Sequence, residues 1–425
     1  MKNRPLFVVF MIVLLDLIGY GILIPVIPQL FNEGGEFFLR PGDPWFLQTR
    51  FIILGLLTAS YPIAQFFASP ILGQLSDRYG RKKILAISIA GTCLSYVIFA
   101  IGIHFRNIPI IFLSRIFDGM TGGNIATAQA VIADTSTPAN RQKNFGLIGA
   151  AFGLGFVLGP FLGGILSSKE VMPWFDATTP FDFAAILSFI NIVLVLTILP
   201  ETNLHLVQSI KLTFGSSLRN IKKVFALRST TSLFITSFLL QSGFTFYTTF
   251  ASLYLAQQFQ MSEKSIGLFF AYVGIWIVIT QGFIIRKISG KVPEYKIVRF
   301  ALFCIAIALA IYPAIRNPTL LLIIVPFYAI PLGLANATII SLVSRSVGPN
   351  NQGEILGVNS SVLALAQSLP PIISGMVAAK LSPAASISTA SLIVLAGGFY
   401  FWHRYYPHQA SSESAPINPE LPSRN

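Results

Sequence analysis

Charged residues are scarce in this chain of 425 residues: they make up 11% of it, whereas 54% of the side chains are hydrophobic. Soluble domains carry about 25% charged residues, and disordered chains are poor in hydrophobic ones, so the composition excludes both classes. Two cysteines and four histidines exclude a disulfide-rich scaffold and leave too few ligands for a structural metal centre. We therefore expect no bound metal.

Acidic residues are also few, 16 against 29 Lys and Arg, which gives a formal net charge of +13. The basic residues stand in short clusters between long apolar runs, a pattern typical of proteins that cross a membrane many times. A membrane helix needs about 20 apolar residues, and twelve runs qualify. They cover residues 5–31, 49–72, 83–104, 108–132, 144–167, 179–200, 229–256, 265–286, 295–315, 319–346, 354–380 and 382–403.

Lys and Arg concentrate on one side of the predicted membrane. With the amino terminus inside, 21 lie on the inner side and 7 on the outer side, and Arg115 lies within a span. The positive-inside rule then places both termini in the cytoplasm. The excess of Lys and Arg is explained by the membrane topology, so the expected partner is the lipid bilayer and not nucleic acid. Both cysteines and both glycosylation sequons fall within spans, which favours a bacterial inner membrane.

The longest inner loop divides the spans six to six. We predict an N-terminal bundle (1–200), a cytoplasmic linker (201–228), a C-terminal bundle (229–405) and a cytoplasmic tail (406–425). Within the linker, apolar residues and basic residues fall on different helical faces, which predicts an amphipathic helix on the anionic inner leaflet. A basic, solvated linker is the alternative.

The two halves resemble each other at a shift of about 211 residues. The matched pairs are Gly146 with Gly357, Pro160 with Pro371, Gly164 with Gly375 and Asn124 with Asn336. Such a duplication predicts an all-α membrane protein with twelve transmembrane helices in two pseudo-symmetric six-helix bundles. A substrate site between the bundles and alternating access by their rocking are typical of transporters built this way.

Three motifs carry a family resemblance. Residues 73–83 read GQLSDRYGRKK, residues 115–123 read RIFDGMTGG, and span 5 carries glycines at short intervals. The first resembles the signature loop of the major facilitator superfamily and the third the antiporter signature of its drug/proton exchangers. With the LDLIGYGILIP segment of span 1, residues 14–165 resemble the tetracycline-resistance group of antiporters.

The resemblance implies the major facilitator fold and two groups of functional residues. The cytoplasmic gate consists of Gly73, Asp77, Arg78, Gly80, Arg81, Asp134 and Arg141. The antiporter motif consists of Gly149, Gly153, Gly155, Gly159, Pro160, Gly163 and Gly164. Because small residues let helices approach closely, a role of these glycines in packing alone is the alternative.

Asp16, Arg115 and Asp118 are charged residues deep in predicted spans. An ionised residue at the bilayer centre costs about 2.5–3.5 kcal/mol on insertion scales and is a functional candidate by default. Arg115 and Asp118 are three residues apart and share a helix face, and Asp16 lies at a similar depth. We predict that these three residues couple transport to protons. A static ion-pair cluster that joins spans 1 and 4 is the alternative.

The C-terminal half has no central charge and supplies amide and aromatic groups instead, which suit an amphipathic organic substrate. The predicted cavity residues are Gln241, Phe244, Tyr247, Tyr272, Trp276, Asn336, Asn359 and Gln367. No nucleotide-binding loop or enzyme motif is present in the sequence, so we expect no enzymatic activity, no cofactor and a proton gradient as energy source. The expected function is proton-coupled efflux of a lipophilic small molecule by a monomer. A proton-coupled importer of a nutrient or siderophore, and a non-transporting receptor or scaffold, are the alternatives.

Overall fold

The computed structural model describes residues 4–31, 46–136, 138–203, 216–226, 228–288, 290–346 and 352–405. Within these ranges the chain forms α-helices joined by short turns, and no strand is present. The helices of the first half are α1 (Arg4–Gln29), α2 (Phe46–Tyr79), α3 (Arg81–His104), α4 (Ile108–Thr121), α5 (Asn124–Thr135), α6 (Pro138–Leu166) and α7 (Thr179–Ile198).

The linker contains α8 (Ser216–Ala226). The helices that follow are α9 (Arg228–Phe259), α10 (Glu263–Ile279), α11 (Ile285–Ile288), α12 (Glu294–Ile311), α13 (Pro318–Arg345), α14 (Gln352–Lys380) and α15 (Pro383–Arg404). A π-helical segment, Thr280–Ile284, joins α10 to α11.

Ten of the described helical segments are long and apolar enough to cross a membrane. The other two predicted spans are helical as well: residues 108–132 form α4 and α5, and residues 229–256 lie within α9. The prediction of an all-α membrane protein with twelve spans is therefore confirmed. The structure differs from the prediction in the fourth span, which is broken at Gly122 and Gly123 and does not form one continuous helix.

Short polar turns separate spans that follow each other closely in the sequence. The side chain of Asn107 accepts a hydrogen bond from the backbone of Ile110 at 3.1 Å, and that of Asn317 accepts one from Thr319 at 2.8 Å. A proline stands in the first turn of each following helix, where its missing N–H does not matter. These caps start α4 and α13 within a few residues of the preceding span.

The two halves are closely packed at one face of the molecule. We call the face that holds the α2–α3 loop, with its basic residues 81–83, the basic face, and the opposite one the far face. Near the far face, α2 packs on α14, where a Cβ atom on Gly55 would overlap the backbone of Pro371. There α6 also packs on α10, where a Cβ atom on Gly164 would lie 2.6 Å from the Cα of Gly267. Such small-residue contacts seal the far face.

The same helices separate toward the basic face. A Cβ atom built on Gly73, Gly149, Gly282 or Gly357 would meet no described atom of another helix within 4 Å. Gly73, Gly149 and Gly357 belong to α2, α6 and α14, and Gly282 belongs to the π-helical segment that follows α10. At these positions the described residues of the two halves do not pack closely, and we call the region between α2 and α14 at the basic face the cleft.

Helix α8 lies in this cleft. The Ser217 hydroxyl donates to the carbonyl of Phe66 on α2 at 2.5 Å, and the Asn220 amide donates to the hydroxyl of Ser361 on α14 at 3.2 Å. Ile221 packs on the core of the C-terminal half. The predicted helix is thus present, but this apolar residue faces the protein instead of a lipid leaflet, because α8 bridges the two halves.

Candidate functional site

The break in the fourth span comes from close packing against α2. A Cβ atom on Gly119 would overlap the backbone of Tyr61, and one on Gly123 would lie 3.1 Å from the Cα of Ser69. Gln65 of α2 donates to the carbonyl of Gly122 at 2.7 Å, which satisfies a backbone acceptor at the break. The span can therefore stop at Thr121 and restart as α5 within the protein.

The restart places Asn124, the first residue of α5, beside Asp16 of α1. Its amide Nδ2 donates a hydrogen bond to the Asp16 carboxylate Oδ2. Asn124 is buried, whereas Asp16 keeps part of its surface accessible. The broken helix thus presents both an amide donor and the positive end of the α5 dipole to the carboxylate of Asp16.

Arg115 and Asp118 form an ion pair on α4, with 3.2 Å between Nη1 and Oδ2. Both are buried, at 1% and 3% exposure. The Arg115 guanidinium lies 4.7 Å from the centre of the Phe99 ring and donates to the Ser95 hydroxyl at 3.3 Å. The pairing and the cation–π contact offset part of the cost of burying these charges.

Asp16 and Asp118 are near enough for their charges to interact. The structure therefore brings the three residues predicted for proton coupling into one cluster in the N-terminal half. Two acids stand there against one base, which leaves one acid without a charged partner among the described residues. Because Arg115 pairs with Asp118, that acid is Asp16.

Several polar residues that sequence reasoning missed surround this cluster. The Tyr20 and Tyr61 rings lie 6.0 Å apart between α1 and α2, and Gln65 donates to the Tyr61 hydroxyl at 2.9 Å. Tyr96 of α3 lies near the Arg115 guanidinium. The amides of Gln65 and Asn124 stand within apolar runs of the sequence and could have indicated polar contacts inside the membrane. An isolated amide in a sequence does not reveal its partner.

A second cluster at the basic face contains the predicted gate residues. Arg81 contacts the carboxylate of Asp77 at 2.6 Å and that of Asp134 at 3.1 Å, and it donates to the Ser76 hydroxyl at 2.6 Å. The guanidinium of Arg78 instead lies over the neighbouring Tyr79 ring.

Two of the remaining gate residues are glycines. Gly73 meets no described neighbour, and Gly80 adopts a φ of 95°, which favours glycine. The side chain of Arg141 lies outside the described part of the structure.

Glu201, at the start of the linker, joins this cluster and was missed from the sequence. Its carboxylate accepts hydrogen bonds from the backbone N–H groups of Arg81 at 2.8 Å and of Lys82 at 3.2 Å. It caps α3, whose first N–H groups have no partner within the helix. A Cβ atom on Gly80 would overlap this carboxylate, so the cap also needs the glycine.

The glycines of the antiporter motif lie on two sides of α6. One group packs on α1: Gly155, Gly159 and Gly163. Two others face α10 of the C-terminal half: Gly153 and Gly164. Pro160 lies close to both helices, and Gly149 meets no described neighbour. The motif therefore brings α6 close to its own bundle and to the other bundle.

The residues predicted for the substrate cavity fall into two groups. Tyr247 and Asn359 are buried, and the Tyr247 hydroxyl donates to that of Tyr312 at 3.4 Å. The others keep part of their surface accessible: Gln241, Phe244, Tyr272, Trp276, Asn336 and Gln367. The indole N–H of Trp276 and the amide oxygen of Asn359 are buried without a hydrogen-bond partner among the described residues. Such atoms are open to a ligand or to water.

The fold agrees with one family. A family model described as the Major Facilitator Superfamily matches residues 9–371. The chain belongs to the major facilitator superfamily. This superfamily consists of transporters, so the protein is a transporter of small molecules and not an enzyme, as the sequence indicated.

The transporter has relatives of two kinds. It is 28% identical over 378 residues to the class H tetracycline resistance protein of Pasteurella multocida, covering 87% of this chain and 88% of that protein. It is 26% identical to mouse major facilitator superfamily domain-containing protein 10, covering 97% of this chain and 95% of that protein. The crystal structure of the human organic anion transporter MFSD10 matches with a TM-score of 0.70 and 25% identity, covering 94% of this chain and 99% of that one.

Proposed function

We propose that the protein exchanges protons for an amphipathic or lipophilic organic molecule and exports that molecule by alternating access. The observation that supports this most directly is the position of Asp16. Its carboxylate has an amide donor but no charged partner of its own in the part of the chain that the structure describes, and it keeps part of its surface accessible. Asp118 is paired with Arg115 in the same cluster. Protonation of Asp16 would neutralise the uncompensated charge.

A proton on such a site can drive transport in one direction. A membrane potential of 100 mV contributes about 2.3 kcal/mol for each charge moved across the whole membrane. The positive-inside rule supports a cytoplasmic basic face with both termini on that side, in an inner membrane. The cleft would then be open to the cytoplasm, where an exporter collects its substrate and releases a proton. One chain holds both halves, so a monomer suffices.

The substrate class follows from the C-terminal half. Its accessible groups are aromatic and amide side chains, among them Phe244, Tyr272 and Trp276, and these contact apolar surfaces and isolated polar groups of a ligand. Phe244 also lies 5.5 Å from Phe156 of the other half, measured between ring centres. An amphipathic molecule between the halves would contact the aromatic residues on one side and the Asp16 cluster on the other.

Everted membrane vesicles would test this function. They are energised to an acidic lumen, and the luminal pH is followed while tetracycline, ethidium and fluorescein are added as amphipathic probes of different charge. We expect at least one probe, or a member of a wider compound library, to raise the luminal pH as protons leave in exchange. Vesicles without the transporter are the control. A luminal pH that falls would indicate an importer on the same fold, and a complete lack of response across the library would contradict the proposal.

A further inference from the structure

The two clusters of the N-terminal half lie at opposite ends of one short helix. Helix α5 has 12 residues, which corresponds to a length of about 17 Å between its first and last residues. Asn124 at its start bonds to Asp16, and Asp134 near its end bonds to Arg81. The break at Gly122 and Gly123 separates α5 from α4, so α5 can move without carrying the whole span.

The body of α5 is well packed. Ala128, Val131 and Ile132 are completely buried and belong to one core with residues of α1 and α3. Packed interiors transmit displacement because they compress little. A shift at the first turn of α5 is therefore expected to reach its last turn instead of being absorbed on the way.

The contact at the first turn depends on the protonation state of Asp16. The Asn124 Nδ2 group donates to the carboxylate oxygen Oδ2. When a proton binds at Oδ2, that oxygen becomes an O–H donor and a weaker, uncharged acceptor. The hydrogen bond from Asn124 weakens, and the new O–H favours an amide turned with its oxygen toward Asp16, which changes the geometry at the start of α5.

Other ionisable groups face Asp16 from the neighbouring elements. They are Asp118 on α4, Tyr61 on α2 and Tyr96 on α3. Arg115 contacts Asp118, and Tyr20 contacts Tyr61. Asn124 differs from all of them, because it is the residue of α5 that is hydrogen-bonded to the Asp16 carboxylate.

The contact at the last turn belongs to the gate. Asp134 Oδ2 accepts from Arg81 Nε at 3.1 Å, and the same guanidinium holds Asp77 at 2.6 Å. Thr202 of the linker also donates to Asp134, at 3.4 Å. A displacement of Asp134 therefore alters the ion pairs that position the α2–α3 loop.

We infer that Asn124 is a positioning residue for Asp16 and that α5 carries the protonation state of Asp16 to the Arg81 gate. This inference rests on the proposed function, because it takes Asp16 as the proton site. It adds Asn124, to which the sequence motifs assign no role, and it gives α5 a function beyond carrying the gate residue Asp134.

The experiment measures opening at the basic face as a function of pH. Spin labels are placed at Lys83→Cys on α3 and Lys287→Cys on α11, both exposed and outside the two clusters, after Cys93 and Cys304 have been replaced by alanine. The distance between the labels is recorded from acidic to alkaline pH. In parallel, infrared spectroscopy follows the C=O band of a protonated carboxyl group.

The variants are Asn124→Leu, Asp134→Asn and Asp16→Asn, with Asn191→Leu as the matched control. Asn191 is also a buried amide that donates to α1, at the Ile12 carbonyl, but it stands on α7. We expect the unmutated transporter and Asn191→Leu to show a distance that changes with pH. Asn124→Leu and Asp134→Asn should lose this change while keeping the Asp16 carboxyl band, and Asp16→Asn should lose both.

A pH-dependent distance in Asn124→Leu that matches the unmutated transporter would overturn the inference while leaving the proposed proton site intact. If Asn124→Leu does not fold, Asn124→Ser, which keeps a donor of smaller size, should restore folding with a shifted pH midpoint, and an unshifted midpoint would overturn the inference too. If Asp16→Asn still responds to pH with the carboxyl band unchanged, the proposed function itself fails.

Discussion

Single side chains hold the basic face of the transporter together, and Glu201 does so at the first turn of α3. Its carboxylate accepts hydrogen bonds from the backbone N–H groups of Arg81 and Lys82. These N–H groups stand in the first turn of α3 and have no acceptor within the helix. The carboxylate also favours the positive end of the α3 dipole. The linker therefore begins with a residue that fastens it to the α2–α3 loop.

Glu201→Ala should destabilise the transporter by about 1 kcal/mol, the usual cost of removing a helix cap. The measurement is thermal unfolding in detergent, with Glu170→Ala as the control because Glu170 is also exposed. Equal melting temperatures for the two variants would refute the capping role.

Asp176, in the far-face turn before α7, contributes to the folding stability in a pH-dependent way. Burial acts to raise the pKa of its carboxyl, but hydrogen bonds from Thr178 and Thr179 outweigh this and lower the pKa below its usual value. A depressed folded-state pKa stabilises the protein above the unfolded-state pKa, and the contribution is lost as the pH falls through the folded-state pKa. Asp176→Asn should thus lower the melting temperature at neutral pH and reduce the loss of stability on acidification, as followed by melting curves across the pH range. An unchanged pH profile would show that these hydrogen bonds contribute nothing.

At the scale of elements, α6 is the helix on which the two bundles meet. Its glycine motif packs on α1 through one side and on α10 through another. Close helix contacts of this kind fix the distance between the bundles, and in a transporter they also form the surfaces that slide or separate.

Gly159→Leu should abolish transport without preventing membrane insertion. A Cβ atom at this position would lie 2.6 Å from the Cα of Gly21 on α1, so α1 and α6 have to separate. Leu158→Ala is the control on the same helix, since Leu158 is exposed and does not belong to the glycine motif. The assay is probe efflux at equal expression, and normal efflux by Gly159→Leu would reduce the contact to a dispensable one.

Helix α8 occupies the space into which α2 and α14 must move when the basic face closes. Its hydrogen bonds to Phe66 and Ser361 stabilise the open cleft. Removing them with Ser217→Ala and Asn220→Ala should shift the population toward a closed basic face, seen as a shorter distance between labels at residues 83 and 287. Lys222→Ala, on the exposed side of α8, should leave the distance unchanged. A longer distance in the double variant would mean that α8 promotes closure instead.

The sequence was sufficient to predict the family and the membrane spans, because long apolar runs have few other interpretations. The break in the fourth span could not be predicted, since Gly122 and Gly123 do not interrupt hydropathy and the break depends on the approach of α2. The partnership of Asn124 with Asp16 joins residues 108 positions apart, and that of Glu201 with Arg81 joins residues 120 apart. Such polar pairs follow from tertiary packing, as does the position of α8.

At the scale of the whole molecule, the described parts of the two halves pack closely at the far face and less closely at the basic face. Two small-residue interfaces close the far side, and hydrogen bonds of Ser252 with Ile24 and Gln29 add a third contact between α1 and α9. Alternating access requires these contacts to break as the basic face closes. The central claim is that a proton on Asp16 biases this exchange.

Asp16→Asn, reconstituted in proteoliposomes with a probe that the vesicle assay identifies, tests this claim most directly, and Glu170→Gln serves as the control. The account predicts that the variant no longer accumulates the probe against its gradient when a pH difference is imposed, but still exchanges it downhill at a rate close to that of the control. Accumulation by Asp16→Asn with an unchanged dependence on the pH gradient would contradict the account and leave Asp16 as a structural residue between α1 and α5.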